Sequence, residues 1–138
     1  MRKKSSLLAL ILNQRPETFL PLQDDEQVAP VIDYHAMRFC LRVGLIDVMD
    51  EELRDKLLNR QIVLPAEEWA VRYAAYRAME QVIALSGKST GAVDEFVFFN
   101  ARKRCPEMSE PECRFCQLDP VCAHRKELFQ PVLRTSFY

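Results

Sequence analysis

Four cysteines near the C-terminus are the residues whose type and spacing most directly indicate chemistry. They are Cys105, Cys113, Cys116 and Cys122, in the pattern C-x7-C-x2-C-x5-C. Four cysteine thiolates commonly bind structural zinc or a [4Fe–4S] cluster. Structural zinc usually takes two tight C-x2-C pairs, whereas here one such pair is flanked by gaps of seven and five residues. The uneven spacing favours a [4Fe–4S] cluster, with zinc and a metal-free loop as the alternatives.

The residues between the cysteines suit a compact metal-binding loop. Pro106, Pro111 and Pro120 restrict the conformations of the chain before a metal binds. Phe115 and Leu118 lie among the cysteines, and we expect them to cover the metal centre and keep water away from it.

Basic residues beside this loop are candidates for contact with nucleic acid. Arg102, Lys103 and Arg104 are contiguous, and Arg114 lies inside the loop. Such a group of cations can meet phosphates. The run of three is equally typical of a solvated helix C-terminus, where cations complement the helix dipole.

Composition indicates a globular, mostly helical protein. The chain has 138 residues, of which 49% are hydrophobic and 28% charged, with only 3 glycines. This predicts an all-α fold, a single small helical domain with a C-terminal four-cysteine loop. The formal net charge of -1 excludes a polycation, so any nucleic-acid contact must come from a local patch. Clustered cysteines at ligand spacing also favour a reducing compartment, the cytoplasm, and we expect the distant Cys40 to lie in the core.

The N-terminus superficially resembles a signal peptide. Its unbroken apolar run, residues 7–12, spans only six residues and leads to no small-residue cleavage site. We therefore expect an amphipathic helix and no contact with a membrane. Residues 1–30 are predicted to form this helix and an irregular crossing segment, and residues 31–138 the helical cluster domain.

Local signals predict where the helices begin and end. Asp33 is a preferred N-cap, Gly44 suits a C-terminal cap, and Pro65 suits a first helical turn. The predicted helices span residues 5–12, 33–43, 48–59, 65–86, 93–103 and 124–128. Two apolar stripes on the longest helix, one with Trp69 and Tyr73 and one with Val71 and Leu85, predict that it is central.

The cysteine loop resembles the iron–sulfur cluster loop of the helix–hairpin–helix DNA glycosylases of the endonuclease III and adenine glycosylase type. The second and third gaps match, as do Pro111 and Leu118, while the first gap has seven residues instead of the usual six. Residues 31–45, VIDYHAMRFCLRVGL, are similar to that family's V-D-T-H-V-x-R-V-x-x-R-L-G-L segment. The matching positions are Asp33, His35, Arg38, Arg42, Gly44 and Leu45.

The resemblance implies a function in base excision repair. Asp33 would be the catalytic carboxylate, which assists departure of a flipped base by stabilising the developing sugar cation or by activating a nucleophile. His35 and Arg38 would contact nucleic acid beside it, and DNA would be the partner. A plain N-cap role explains Asp33 equally well.

Parts of that family's machinery have no counterpart in this sequence. The family places a helix–hairpin–helix with a G-x-G turn before the Asp segment, but residues 19–30 contain no glycine. No residue matches the lyase lysine, and most of the barrel-like domain is missing. We therefore expect a glycosylase-like [4Fe–4S] protein, or part of one, with a protein partner as the candidate source of the hairpin and barrel domain. The alternative is a non-catalytic DNA-binding or partner-binding subunit.

Overall fold

The computed structural model describes residues 3–17 and 28–134 and is built from helices. The helices are α1 (Lys3–Asn13), α2 (Tyr34–Val43), α3 (Glu51–Leu58), α4 (Pro65–Ser86) and α5 (Thr90–Phe99). In those two ranges no strand forms, and an isolated backbone bridge joins Ile62 to Val132. The predicted all-α class is confirmed. None of the described helices is both long and apolar enough to cross a membrane.

Helix α2 lies at the centre of the core. Asp33 caps its N-terminus, since the carboxylate accepts a hydrogen bond from the backbone N–H of Ala36 at 2.9 Å. Seven consecutive residues, from Ala36 to Arg42, are buried. The helix ends at Gly44, whose φ of 89° is left-handed. Helices α4, α5 and the turn after α5 all pack against it.

The prediction that α4 is apolar on two sides and central is wrong. Its buried residues, Glu68, Val71, Ala75 and Met79, are spaced along a single face. Trp69 and Tyr73 remain 52% and 50% exposed. The limits of α4 agree with the prediction because Pro65 occupies its first turn and the Glu67 carboxylate accepts from the Leu64 N–H at 2.6 Å.

Capping side chains decide where α3 and α5 begin. Asp50 accepts from the Leu53 N–H at 2.8 Å, so α3 starts later than predicted. Ser89 accepts from the Ala92 N–H at 3.2 Å, so α5 starts earlier. Helix α5 continues into a π-helical turn, Asn100–Arg104, which leads directly to Cys105.

The helix predicted at residues 124–128 does not form. The N–H groups of Ala123 and Arg125 instead donate to the carbonyls of Val43 and Arg42, at 2.9 and 3.1 Å. His124 between them takes a left-handed φ of 52°. Bonds to the end of α2 therefore replace the bonds that a final helix would need.

Helix α1 covers the predicted residues and packs through Leu10, which is buried. Leu7, Leu8 and Ile11 are exposed while the polar Ser6 is buried, so α1 does not show the clean separation into an apolar buried face and a polar exposed face that was predicted. Most of the predicted crossing segment, residues 18–27, lies outside the described residues.

Gly44 is the point where α2 and the end of the cysteine loop approach most closely. A Cβ placed at Gly44 would lie 2.7 Å from the Cβ of Ala123, whereas a Cβ at Gly87, also left-handed, would meet nothing within 4 Å.

We expect Gly87→Ala to lower the free energy of unfolding by about 1 kcal/mol through φ alone. Gly44→Ala should cost clearly more because it also separates the loop from α2. Denaturant unfolding of the two variants tests this, and equal losses would contradict it.

Candidate metal centre

Short turns position the four cysteines of the loop. Cys105 ends the π-helical turn, and its N–H donates to the Asn100 carbonyl at 2.8 Å. Cys113 begins a 3-10 turn whose closing bond runs from the Cys116 N–H to the Cys113 carbonyl at 2.7 Å. Cys122 follows a second such turn, Asp119–Val121. All four are half-buried, whereas Cys40 lies in the core as predicted, and burial raises the pKa of the Cys40 thiol to about 12.

Arg42 of α2 holds this loop from inside. Its Nε donates to the Leu128 carbonyl at 2.8 Å, and one terminal nitrogen donates to the Pro106 carbonyl at 2.9 Å. The same nitrogen lies 3.5 Å from the Cys105 sulfur. The Arg42 backbone carbonyl is 3.7 Å from the Cys122 sulfur. One buried residue therefore contacts both ends of the cysteine sequence.

Arg38, one helical turn earlier, has a similar position. It is 1% exposed and donates to the carbonyls of Ala101 and Cys105 and to the side chain of Gln130, at 2.9, 3.4 and 3.1 Å. It also pairs with Glu107 at 3.7 Å. The expected contact of Arg38 with nucleic acid is therefore not supported, because its guanidinium is used inside the protein.

The sulfur environment fits a bound metal centre. N–H donors face two sulfurs, from Arg42 to Cys105 at 3.5 Å and from the His124 backbone to Cys122 at 3.3 Å. Such bonds favour anionic sulfur and tune iron–sulfur clusters. Burial raises the pKa of Cys113, while the positive charge of Lys126 opposes that shift. The charges of Asp119, Cys105 and Cys122 also raise this pKa. Four thiolates are a ligand set for [4Fe–4S] or zinc, and both the binding and the identity of the metal stay predictions.

A second, mixed set of potential ligands overlaps this centre. Among the described residues, ligand atoms of Cys113, Asp119 and His124 lie within 4.8 Å of one another. Sulfur, carboxylate and imidazole together are ligands typical of zinc. Nε2 of His124 is also 3.2 Å from the Asp119 carbonyl oxygen. Sequence reasoning missed Asp119 and His124, although a histidine two residues after the last cysteine is a recognisable signal.

Asp33 lies at a cavity with two further carboxylates. The cavity, about 470 Å³, is formed by α1, the start of α2 and α5, and Asp33, Asp94 and Glu95 all line it. Burial, and secondarily the charge of Asp33, raise the pKa of Asp94 to about 6, although a hydrogen bond from the Val31 backbone opposes the shift. Sequence reasoning missed Asp94 because only the packing of α5 on α2 brings it near Asp33.

His35 lies within an aromatic cluster beside Asp33. Its ring centroid is 4.0 Å from that of Tyr34 and 5.8 Å from that of Phe98, and its Nδ1 is 3.2 Å from a terminal nitrogen of Arg38. Burial lowers the pKa of His35; the guanidinium groups of Arg38 and Arg102 add to that shift, whereas the carboxylates of Asp33 and Glu107 oppose it. A lowered pKa disfavours the charged imidazolium that would bind a phosphate.

The basic run divides among different neighbours. Arg102 lies over the Phe98 ring at 5.1 Å, Lys103 is exposed, and Arg104 pairs with Glu112 at 2.6 Å. Arg114 lies over Phe115 at 4.6 Å. In the described ranges Arg102, Lys103 and Arg114 form no ion pair, so these three can meet phosphates.

The residues expected to cover the metal centre lie in different surroundings. Leu118 packs against the hydrophobic core, and whether it covers a metal stays a prediction. Phe115, in contrast, is 57% exposed, because its 3-10 turn directs it toward Arg104 and Arg114 on the surface.

In comparisons with known proteins, no family model, no curated protein and no solved structure matches the chain significantly.

Replacing individual cysteines tests the ligand set. We expect Cys113→Ser and Cys116→Ser to lose the metal and to yield poorly folded protein, because metal binding contributes directly to folding. Cys40→Ala is the matched control, since it removes a thiol that lies outside the loop and should leave the metal content intact. Iron, sulfide and zinc per chain after anaerobic purification are the measurements, with thermal unfolding alongside. Wild-type metal content and melting in Cys113→Ser would contradict the assignment.

His124→Ala separates the two ligand sets. If the four cysteines hold the metal, this variant keeps its full metal content. If the mixed set holds it, zinc is lost from His124→Ala while Cys105→Ser retains it.

The position of Asp94 predicts a pH dependence of stability. Its folded pKa of about 6 lies above the ordinary value of 3.8, so the folded state binds the proton more tightly. The free energy of unfolding should therefore fall as the pH rises from about 4 to 6 and stay lowered above that. Asp94→Asn should raise it by about 1–2 kcal/mol at pH 7.5 and leave it unchanged near pH 3.5. Denaturant unfolding at both pH values tests this, with Glu95→Gln, a change at an exposed neighbour, as control. An equal increase in the free energy of unfolding of Asp94→Asn at the two pH values would refute the prediction.

Proposed function

We propose that this chain is a [4Fe–4S]-carrying domain of the helix–hairpin–helix DNA glycosylase type, which binds DNA and functions in base excision repair. One observation carries the proposal. Helix α2 has Asp33 at its start and holds the cysteine loop through Arg38 and Arg42 at its end. The two segments that resemble the family are therefore parts of one packed unit.

The environment of the cysteines supports a cluster. The buried guanidinium of Arg42 places positive charge 3.5 Å from the Cys105 sulfur, which must be anionic to bind a metal, and Arg38 donates to the backbone carbonyl of the same residue. When bound, a [4Fe–4S] cluster would supply a rigid centre that fixes the loop, and Cys105, Cys113, Cys116 and Cys122 would hold it. Zinc in the same loop is the alternative. A reducing compartment, the cytoplasm, suits either group.

The surface beside the loop supports contact with DNA. Arg102, Lys103 and Arg114 extend from the end of α5 to the middle of the loop, and each lacks an acidic partner among the residues described. Since the chain as a whole is slightly acidic, binding depends on this patch.

Cleavage of an N-glycosidic bond is the second part of the proposal. Asp33 lines an open cavity of about 470 Å³, where its carboxylate could stabilise positive charge developing on a sugar. The Ala36 N–H occupies one of its oxygens, so the other is left for that purpose. A protein partner would supply the missing hairpin and barrel domain. A non-catalytic DNA-binding or partner-binding subunit is the alternative.

Salt dependence of binding tests the DNA-binding proposal. The anaerobically purified protein should bind a short duplex, with an affinity that falls as salt rises because phosphate contacts release counterions. Arg102→Gln combined with Lys103→Gln should weaken binding several-fold and flatten the salt dependence. Arg77→Gln, an exposed change on α4, is the control. Fluorescence anisotropy measures the affinity of the wild type, the double variant and the control. An affinity that does not change with salt concentration would refute the proposal.

Asp33→Asn tests catalysis separately from folding, because asparagine is also a good N-cap. If Asp33 assists cleavage, this variant should lose activity on duplexes with damaged or mismatched bases while its stability stays near that of the wild type. The absence of cleavage by the wild type across such substrates would support the non-catalytic alternative.

A further inference from the structure

Two phenylalanines beside the cysteine loop are exposed, whereas apolar residues close to them in sequence pack against the core. Phe99, at the end of α5, is 51% exposed, and Phe115, between Cys113 and Cys116, is 57% exposed. Phe96 and Leu118, close to each in sequence, pack against the core. A single exposed apolar side chain is ordinary, but these two line the same groove.

The groove lies between α5 and the cysteine loop and has a volume of about 380 Å³. We call it the Phe115 groove; Phe99, Asn100, Arg104, Phe115 and Gln117 are among its lining residues. With Phe96 and Glu95, which also line it, its walls combine three phenyl rings with a guanidinium, a carboxylate and two side-chain amides. Asn100 already donates to the Phe96 carbonyl at 2.8 Å, whereas Gln117 is exposed and has an amide free to meet a ligand.

Guanidinium groups accompany the aromatic rings. Arg114 and Arg104 lie 4.6 and 5.8 Å from the Phe115 ring, and Arg102 lies 5.1 Å from the partly exposed Phe98. Glu112 neutralises Arg104 in part, and the exposed Glu95 also lines the groove. Arg102 and Arg114 keep their charge available: Arg114 lies over Phe115 in the groove, and Arg102 lies over Phe98, the residue before Phe99.

This arrangement matches the chemistry of unpaired nucleotides. Nucleobases stack on exposed aromatic rings, and neighbouring cations follow the phosphates. Bases within a duplex are stacked on each other and cannot reach a ring set into a groove. Duplex binding needs only the cations, whereas exposed phenyl rings add affinity only for a base that has left its stack.

We propose that the Phe115 groove binds an unpaired base of a single-stranded nucleic acid, which stacks on Phe115 and Phe99 while Arg102 and Arg114 contact the flanking phosphates. The proposal rests on the proposed nucleic-acid binding and goes beyond it by naming the strand state. It also makes single-strand binding depend on the metal loop, since Phe115 lies between two of the cysteines.

Anisotropy titrations with a single strand of about 16 nucleotides and with its perfect duplex test the proposal on the full, metal-loaded chain. Phe115→Ala should weaken single-strand binding about tenfold or more and leave duplex binding within about twofold. Phe99→Ala should do the same, and it lies outside the loop, so it remains informative if Phe115→Ala loses metal. Phe115→Trp should retain single-strand affinity because it keeps a stacking surface. Trp69→Ala, an equally exposed aromatic on α4, is the matched control and should change nothing.

The unpaired base could belong to DNA or to RNA, so the same titrations are repeated with single-stranded RNA of the same sequence. A loss of affinity in Phe99→Ala on either DNA or RNA supports stacking in the groove. The proposal is overturned if both alanine variants keep wild-type affinity for single strands, or if they weaken duplex and single strand equally. If the groove proposal is overturned in this way but the protein still binds duplex DNA in a salt-dependent manner, the proposed DNA-binding function is retained. Failure of both duplex and single strand to bind removes both proposals and points to a protein partner for the groove.

Discussion

Two buried arginines on α2 are the constraint on which the rest of the structure depends. Arg38 and Arg42 lie one helical turn apart, and together they donate to the carbonyls of Ala101, Cys105, Pro106 and Leu128. These carbonyls lie in the π-helical turn after α5 and in the irregular chain that follows it, and an unpaired buried carbonyl is costly. A buried guanidinium is equally costly without partners. Each side therefore needs the other, and the loop can take its path only where α2 presents both arginines.

This mutual dependence joins the candidate metal centre to the helix that begins at Asp33. The cysteine loop contributes little apolar surface to the core apart from Leu118 and Leu128. Polar contacts with α2 and the close approach at Gly44 supply much of what apolar packing does not. The loop is thereby tied to α2, the same helix whose N-cap, Asp33, lines the cavity with Asp94.

The cationic residues of the chain have two different uses, and exposure separates them. Arg38 and Arg42 are structural, with their charge turned toward sulfurs and carbonyls. Arg102 and Arg114 are on the surface, each against a phenyl ring. The first pair holds the loop in place, and the second pair gives that loop a face that suits nucleic acid. A basic residue in this sequence therefore indicates a binding surface only after its burial is known.

Sequence alone determined the features that arise from neighbouring residues. The limits of α4, the Asp33 cap, the Gly44 cap and the burial of Cys40 follow from propensity, capping and spacing over a few residues. Tertiary structure decided the rest, because distant contacts override local preference. Packing places α2 at the centre of the core instead of α4, and it buries Arg38. Residues 123–125 form backbone hydrogen bonds with the end of α2 instead of the expected last helix. Packing also brings Asp94 to Asp33 and His124 to Cys113, since no periodicity encodes which side chains meet when helices and loops pack together.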